Sequence, residues 1–231
     1  MSAAIEPAVR RSAIEASHVS LGAGWLADDV RWPSGYGDAS VEASAVASGA
    51  GLAELGPYEE LLLRGPAAAE VAAGLAAAGG AAPERPAVVP LRLGGVVGAG
   101  WFLAPDEVLL VGLSNGWSAD LAARVASGEV SAIEMTGARA TLRLVGPAAP
   151  DILAELCPAD TTPVSLREGE LIQAPLAGPR AFLTRHDHGG WPGYTWMVAR
   201  DEARYVWESV LHVGEDHGLV PVGPAAVGGD R

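Results

Sequence analysis

The residues best suited to chemistry lie in one short run, Arg185-His186-Asp187-His188. On an extended strand His186 and His188 point to one side and Asp187 to the other. Two imidazoles without a third ligand in range do not make a metal site, and a turn-exposed pair is the plainer reading, so no metal is expected. Ser17-His18 and the scattered carboxylates form no Ser-His-Asp pattern that chain order could support. Cys157 is the sole cysteine and closes an apolar helical stretch. It reads as a buried thiol, and one cysteine excludes an intrachain disulfide and an all-Cys metal site. All 15 basic residues are Arg. Schiff-base and phosphate-loop lysine chemistry are therefore excluded.

The 231 residues carry a net charge of −13. That charge argues against a nucleic-acid partner, whose phosphates require clustered positive charge. The length suits one large domain or two tightly joined small ones. Mean hydropathy is positive, at +0.23. Even so, the most apolar stretch, Ala67 to Pro83, is Ala-rich and interrupted by Glu70 and several Gly, unlike a membrane span. Glu6, Arg10, Arg11 and Glu15 leave no apolar signal-peptide core at the start. A soluble, cytoplasmic protein with no membrane or nucleic-acid partner is expected. Aromatic residues are unusual in kind, with seven Trp against two Phe.

The elements that must position such groups come in two similar halves. Residues 61–75 read LLLRGPAAAEVAAGL, and residues 142–156 read LRLVGPAAPDILAEL. The Gly-Pro-Ala-Ala blocks start at Gly65 and Gly146, 81 positions apart. Each follows an apolar run and precedes apolar residues at helical spacing, Val71 and Leu75 in one copy and Ile152, Leu153 and Leu156 in the other. This pattern predicts a strand, a sharp exit at Gly, and Pro at the first helical position. Further strands are predicted at 88–93, 96–103 and 107–111, then a helix at 118–125. Their counterparts are strands at 171–176, 180–185 and 194–199, then a helix at 201–213 capped by Asp201. Each half thus reads β-α-β-β-β-α. The fold class is α+β, close to a duplicated ferredoxin-like unit, with a cleft where the halves meet. The expected division is a lead-in and turn-rich segment over 1–57, a two-half body over 58–223 with repeats at 58–130 and 138–213, and a tail at 224–231. A helix is predicted at Ala39–Ser48, with Trp25 and the run from Trp32 to Gly37 in turns.

Particular residues carry a family resemblance over nearly the whole chain. At the front these are Gly22-Ala23, Trp32-Pro33, Tyr36, Glu42 and Gly51-Leu52; then come both Gly-Pro-x-Ala blocks. At the end stand Gly193-Tyr194, a helix with Trp207, and the run from Gly218 to Gly223, Gly-Leu-Val-Pro-Val-Gly. This resembles the folate-binding family that includes the glycine-cleavage aminomethyltransferase (T-protein) and the gamma subunit of heterotetrameric sarcosine oxidases. The resemblance implies a folate-binding-type body, tetrahydrofolate as cofactor, and one-carbon transfer assisted by an Asp. In the family that Asp follows a Gly-Gly-x-x motif, but here Gly94-Gly95-Val96-Val97 runs into Gly98 and Ala99. The family's Asn aligns with Gly112, with Asn115 nearby. Its pterin-contacting Tyr and Glu align with His188 and Trp191. The family's C-terminal barrel domain is expected to be missing after Gly223.

The resemblance places His188 at the pocket wall, where an imidazole is a candidate general acid or base. Tyr36, Trp101, Asn115, Arg185, Trp191, Tyr194 and Trp196 are the candidate ligand-binding residues. Tyr194 and Trp196 share a strand face, and the Trp set reads equally as an aromatic-lined pocket or as cleft filling. A carboxylate offers a pterin edge two charge-assisted hydrogen bonds, and Trp191 offers none. Three functions follow. One is an aminomethyltransferase-like protein with a remodelled pocket for a folate or other small ring ligand. The second is a non-catalytic gamma-type subunit bound to a larger flavin-containing partner. The third is a repurposed small-molecule enzyme of secondary metabolism.

Overall fold

The computed structural model describes residues 10–27, 30–75, 80–93, 96–113 and 119–229. The chain opens with strand β1 (Arg10–Arg11), helix α1 (Glu15–Ser20), and strands β2 (Gly24–Ala27) and β3 (Val30–Gly35), which form a small sheet in the order β1-β3-β2. The predicted turns at Trp25 and Trp32–Gly35 are therefore strands. Trp25 pairs with Pro33 across an irregular register, and the Arg31 guanidinium lies 4.7 Å over the Trp25 ring. β1 pairs only with Val30 and Arg31, so the N–H missing at Pro33 falls beyond that ladder. Helix α2 (Ala39–Ser48) and strand β4 (Ala50–Leu55) follow. Asp38 caps α2 by accepting from the Ser40 N–H at 2.8 Å. Glu42 in its first turn is buried and accepts from the main-chain N–H groups of Tyr36 and Gly223.

The body follows in two stretches. The first runs β5 (Glu60–Arg64), α3 (Ala68–Gly74), β6 (Ala87–Leu93), β7 (Val96–Ala104), β8 (Glu107–Val111), α4 (Ala119–Ala126) and β9 (Ser131–Glu134). The second runs β10 (Arg139–Val145), α5 (Ala149–Leu156), β11 (Leu171–Pro175), β12 (Arg180–Arg185), β13 (Gly193–Ala199), α6 (Ala203–Gly214) and β14 (Leu219–Pro221). One sheet has the order β6-β7-β8-β5-β9, the other β11-β12-β13-β10-β4-β14. In each, three successive strands meander and the first strand of the stretch lies beside the last of the three.

Strand alternation sorts the side chains into layers. Leu61, Leu63, Phe102, Val108 and Leu110 pack with α3 and α4 residues such as Val71 and Leu121. Leu142, Leu144, Tyr194, Trp196 and Val198 pack with Ile152, Leu153, Val206 and Trp207 of α5 and α6. The opposite faces meet each other through Leu62, Trp101, Leu103, Leu109, Val111, Leu171 and Met197. The two sheets thus lie face to face, with helices on the outer sides.

The two Gly-Pro-Ala-Ala blocks fold alike. Gly65 and Gly146 have φ of +139° and +147°, which a Cβ would oppose. Pro66 and Pro147 do not start the helices. Each occupies the second position of a turn closed by Ala68 N–H to Gly65 O at 2.9 Å, or Ala149 N–H to Gly146 O at 3.1 Å, where the fixed φ of proline is equally favoured. Asp201 is likewise not the cap of α6, which begins at Ala203 after Glu202 without a side-chain cap bond. Within the expected tail at 224–231, Ala226 and Val227 pack against the body. β14 pairs in parallel with β4, and Val222 and Val227 are fully buried. No helix among the described residues is long and apolar enough to cross a membrane.

Candidate functional site

A cleft of about 680 Å³ opens between the facing sheets. Val88, Ala99, Trp101 and Val111 line it from the five-stranded sheet, and Thr141, Thr184, Thr195 and Met197 from the six-stranded sheet. Gly56-Pro57-Tyr58, which links β4 to β5, and Gly228-Gly229 at the other end close its rim. Alternation dictates this lining. Leu142 and Leu144 turn to the helices, so Thr141 and Arg143 turn inward; Tyr194 and Trp196 turn outward, so Thr195 and Met197 face the cleft.

Behind the cleft wall lies Arg143, which is buried. Its Nε donates to Val227 O at 2.7 Å, Nη1 to Thr195 Oγ1 at 2.8 Å, and Nη2 to His186 O at 3.0 Å. One guanidinium therefore ties together the chain's final turn, β13 and the His186 loop. Burial lowers its pKa, against the opposing pull of Tyr58, Glu168 and Asp187. The positive charge is nevertheless retained at neutral pH.

His186 lines the cleft. Burial holds its imidazole below the usual value near 6.5, against Glu168, whose Oε1 lies 3.3 Å from Nδ1. Glu59, also in the lining, is paired with Arg10 at 3.1 Å.

The structure separates the residues singled out in the sequence. Trp101 lies in the cleft wall. Trp196 is fully buried in the helix-covered core, as is Tyr194, whose hydroxyl donates to Thr161 O at 2.9 Å. These two do share a face, but it is the one turned away from the cleft. His188 and Trp191 flank Gly189-Gly190 in a two-residue hairpin turn, with φ of +60° and +85° at the glycines. Both side chains are exposed there, and neither lines the cleft. The run His186–His188 is thus not a strand, since β12 ends at Arg185. Arg185 pairs with Asp187 and donates to Pro163 O and Leu166 O. Asn115 lies outside the described residues. No group of three or more His, Cys, Asp or Glu is placed to hold a metal among the described residues.

Tyr36 belongs to a different site. Its hydroxyl lies 2.6 Å from His18 Nδ1, and His18 Nε2 lies 2.8 Å from Glu54 Oε2. Ser12 Oγ donates to the same carboxylate oxygen. With its proton on Nε2, His18 donates to Glu54 and accepts from Tyr36. Ser12, His18 and Glu54 are buried, and burial with the charges of Glu54 and Glu42 pushes the Tyr36 phenol well above its ordinary value. This cluster pins α1 and β3 to β4, and it lies apart from the cleft lining.

Gly98 lies in β7 and in the cleft lining. A Cβ there would come within 2.4 Å of Val111 O and 2.9 Å of the Leu113 side chain. The cleft wall is built around a bare backbone at this point.

Arg143 and the three threonines escaped the sequence reading, and His186 was weighed there only as a metal ligand, although one signal was present. Thr141, Arg143 and Thr195 are polar residues alternating with large apolar ones in strands otherwise dedicated to a core.

The described geometry agrees with comparisons to known proteins. Residues 17–231 match the family described as GCVT N-terminal domain. An aminomethyltransferase of Saccharopolyspora erythraea is 31% identical over 229 residues, covering 93% of this chain and 60% of the relative. One from Streptomyces coelicolor is 29% identical over 227 residues with the same coverages. The chain therefore spans about 60% of the length of these relatives. The gamma subunit of a sarcosine oxidase from Arthrobacter sp. is 31% identical over 109 residues, covering 45% of this chain and 54% of that subunit. Among solved structures, aminomethyltransferase T of the Bartonella henselae glycine cleavage system superposes with a TM-score of 0.76 at 23% identity, covering 94% of this chain and 60% of that one. A chain of the heterotetrameric sarcosine oxidase of Corynebacterium sp. U-96 superposes with a TM-score of 0.54 at 23% identity, covering 79% of this chain and 93% of that one. With its match running over residues 17–231, the chain belongs to the GCVT N-terminal domain family.

Proposed function

We propose that this is an aminomethyltransferase-like protein that binds a folate or another small flat-ring ligand in the cleft between its sheets, without the family's catalytic Asp. The observation that carries this reading is the cleft itself. Apolar side chains and the Trp101 ring form most of its walls, and a few hydroxyls, one imidazole and the Arg10–Glu59 ion pair are the polar groups, which is the usual make-up of a small-molecule site. Tetrahydrofolate fits the apolar part of this lining. Thr141, Thr184, Thr195 and His186 would hold its polar atoms, and when bound it would supply the acceptor for a one-carbon unit. Gly98 and Ala99 bring no carboxylate to the wall, so the family's Asp-assisted step has no counterpart in these residues. The proton-exchanging role expected of His188 passes in this reading to His186, which borders the cleft. The two stretches of the body are read as copies of one β-α-β-β-β-α unit, the duplicated ferredoxin-like arrangement anticipated from the repeat, with 1–57 as lead-in.

Tryptophan fluorescence tests the proposal. Titration with tetrahydrofolate should quench emission saturably, and Trp101→Phe should remove most of the change. No quenching at millimolar ligand sinks the folate reading.

The local likeness to a sarcosine oxidase gamma subunit favours a second reading, a non-catalytic subunit of a sarcosine or amine oxidase complex. It requires co-elution of the native, untagged protein with a larger flavin-containing partner. Elution only as a free species would exclude it.

A further inference from the structure

We propose that a second cleft, adjoining the first, is an oxyanion subsite for the acidic end of the ligand, a phosphate- or carboxylate-bearing group. This cleft has a volume of about 340 Å³, and Arg10, Leu55, Pro57, Tyr58 and Thr141 line both clefts. The two therefore adjoin along the β4–β5 link, sharing these residues as a common border. Four arginines line it: Arg10 and Arg11 from β1, Arg139 at the start of β10, and Arg200 just after β13. The lone carboxylate in its lining, among the described residues, is Glu60. Such a concentration of cations stands out in a chain of net charge −13 with 15 basic residues in all.

Each arginine is held differently. Arg139 pairs with buried Glu60 at 3.0 Å and lies over the Phe182 ring, so it is a fixed structural charge. Arg10 and Arg11 pair with Glu59 and Glu15, but both guanidinium groups are half exposed. Such solvent-exposed pairs are weak, and a ligand oxyanion can compete for them. Arg200 pairs with no carboxylate among the described residues. Its Nη2 donates to the carbonyl oxygens of Arg11 at 3.0 Å and Ser12 at 3.4 Å. Those two bonds orient the group without neutralising it. An oriented guanidinium with donors to spare suits phosphate or carboxylate, which it can meet with two parallel bonds. The first cleft, by contrast, is walled mainly by apolar groups and neutral hydroxyls. A ring ligand seated there has its charged end best placed across the shared border.

The anion site stands on its own residues; its assignment to the ligand's acidic end rests on the ring-binding reading. The test is calorimetric titration of the full chain at low ionic strength with inorganic phosphate and, separately, succinate. Saturable binding of at least one anion is expected, weakened about tenfold or more by Arg200→Gln through loss of charge-assisted bonds. Arg204→Gln, on the exposed face of α6 and paired with Glu208, should bind as the parent does. Tighter phosphate binding points to a phosphorylated ligand and tighter succinate binding to a carboxylate. Failure of both anions to saturate by about 50 mM overturns the subsite, as does Arg200→Gln binding like the parent or Arg204→Gln weakening equally. If phosphate or succinate binds while tetrahydrofolate does not, the subsite stands and the folate reading falls.

Discussion

Replacing Arg143 by Met removes the guanidinium that ties Val227, Thr195 and His186 together while preserving much of its apolar volume. Three hydrogen bonds from a charged donor are lost, at 2.7, 2.8 and 3.0 Å. At roughly 1.5–3 kcal/mol each, the gross loss is about 4–9 kcal/mol. Against it stands relief of the penalty for burying an ion with no contacting carboxylate, several kcal/mol. Water reaching the vacated carbonyls from the cleft lessens the loss further. The net destabilisation should be about 2–4 kcal/mol. In a chain of this size that lowers Tm by roughly 5–15 °C. Thermal and urea unfolding of the variant beside the parent would measure it. Thr195→Val removes one of the three acceptors and should be less costly alone. In the double variant the two losses should fail to add, because both remove the same bond. A Tm shift for Arg143→Met below about 2 °C would refute the idea that this residue fastens the cleft wall.

Four further outcomes follow from the same geometry. Gly98→Asp should lose about 1–3 kcal/mol of stability, because its Cβ meets Val111 O, and calorimetry showing an unchanged Tm would contradict the packing. Glu54→Ala should lose about 2–4 kcal/mol, since it strands buried His18 and Ser12; Glu54→Gln, which keeps an acceptor, should lose less in urea unfolding. His186 has a folded pKa below its unfolded value near 6.5. The unfolded chain therefore takes up a proton that the folded one resists. This contribution to stability is full above about pH 6.5 and declines as pH falls from there toward the folded pKa. The decline should flatten in His186→Gln when Tm is measured against pH. Finally, His188→Ala should leave ring-ligand affinity unchanged in fluorescence titrations, whereas His186→Ala should weaken it.

The sequence displayed the body of the fold more clearly than the site. The two Gly-Pro-Ala-Ala blocks marked where strands give way to helices, because only Gly tolerates the backbone there and Pro favours the turn. The helix predicted at Ala39–Ser48 is α2, and the strand ends at Glu107, Val111, Arg180 and Arg185 fell where the apolar runs stop. The opening sheet was hidden, since Trp32-Pro33-Ser34-Gly35 has turn composition. It is a strand because Trp32 finds a buried seat and Pro33 lies beyond the β1 ladder. At the site, shared strand face was legible for Tyr194 and Trp196, but which face looks into the cleft depends on where the helices pack. The resemblance, not the strand pattern, pointed to His188 rather than His186. A two-residue turn at Gly189-Gly190 carries His188 outward, and the main-chain bond from Arg143 holds the His186 segment at the wall.

The central claim is that the space between the sheets receives a flat ring against Trp101. A crystal structure of the chain soaked with tetrahydrofolate tests it most directly. The account predicts ring density between Trp101 and the Thr141–Thr195 wall, with His186 within hydrogen-bonding distance. Density confined to another surface, or an empty cleft at saturating ligand, would contradict it.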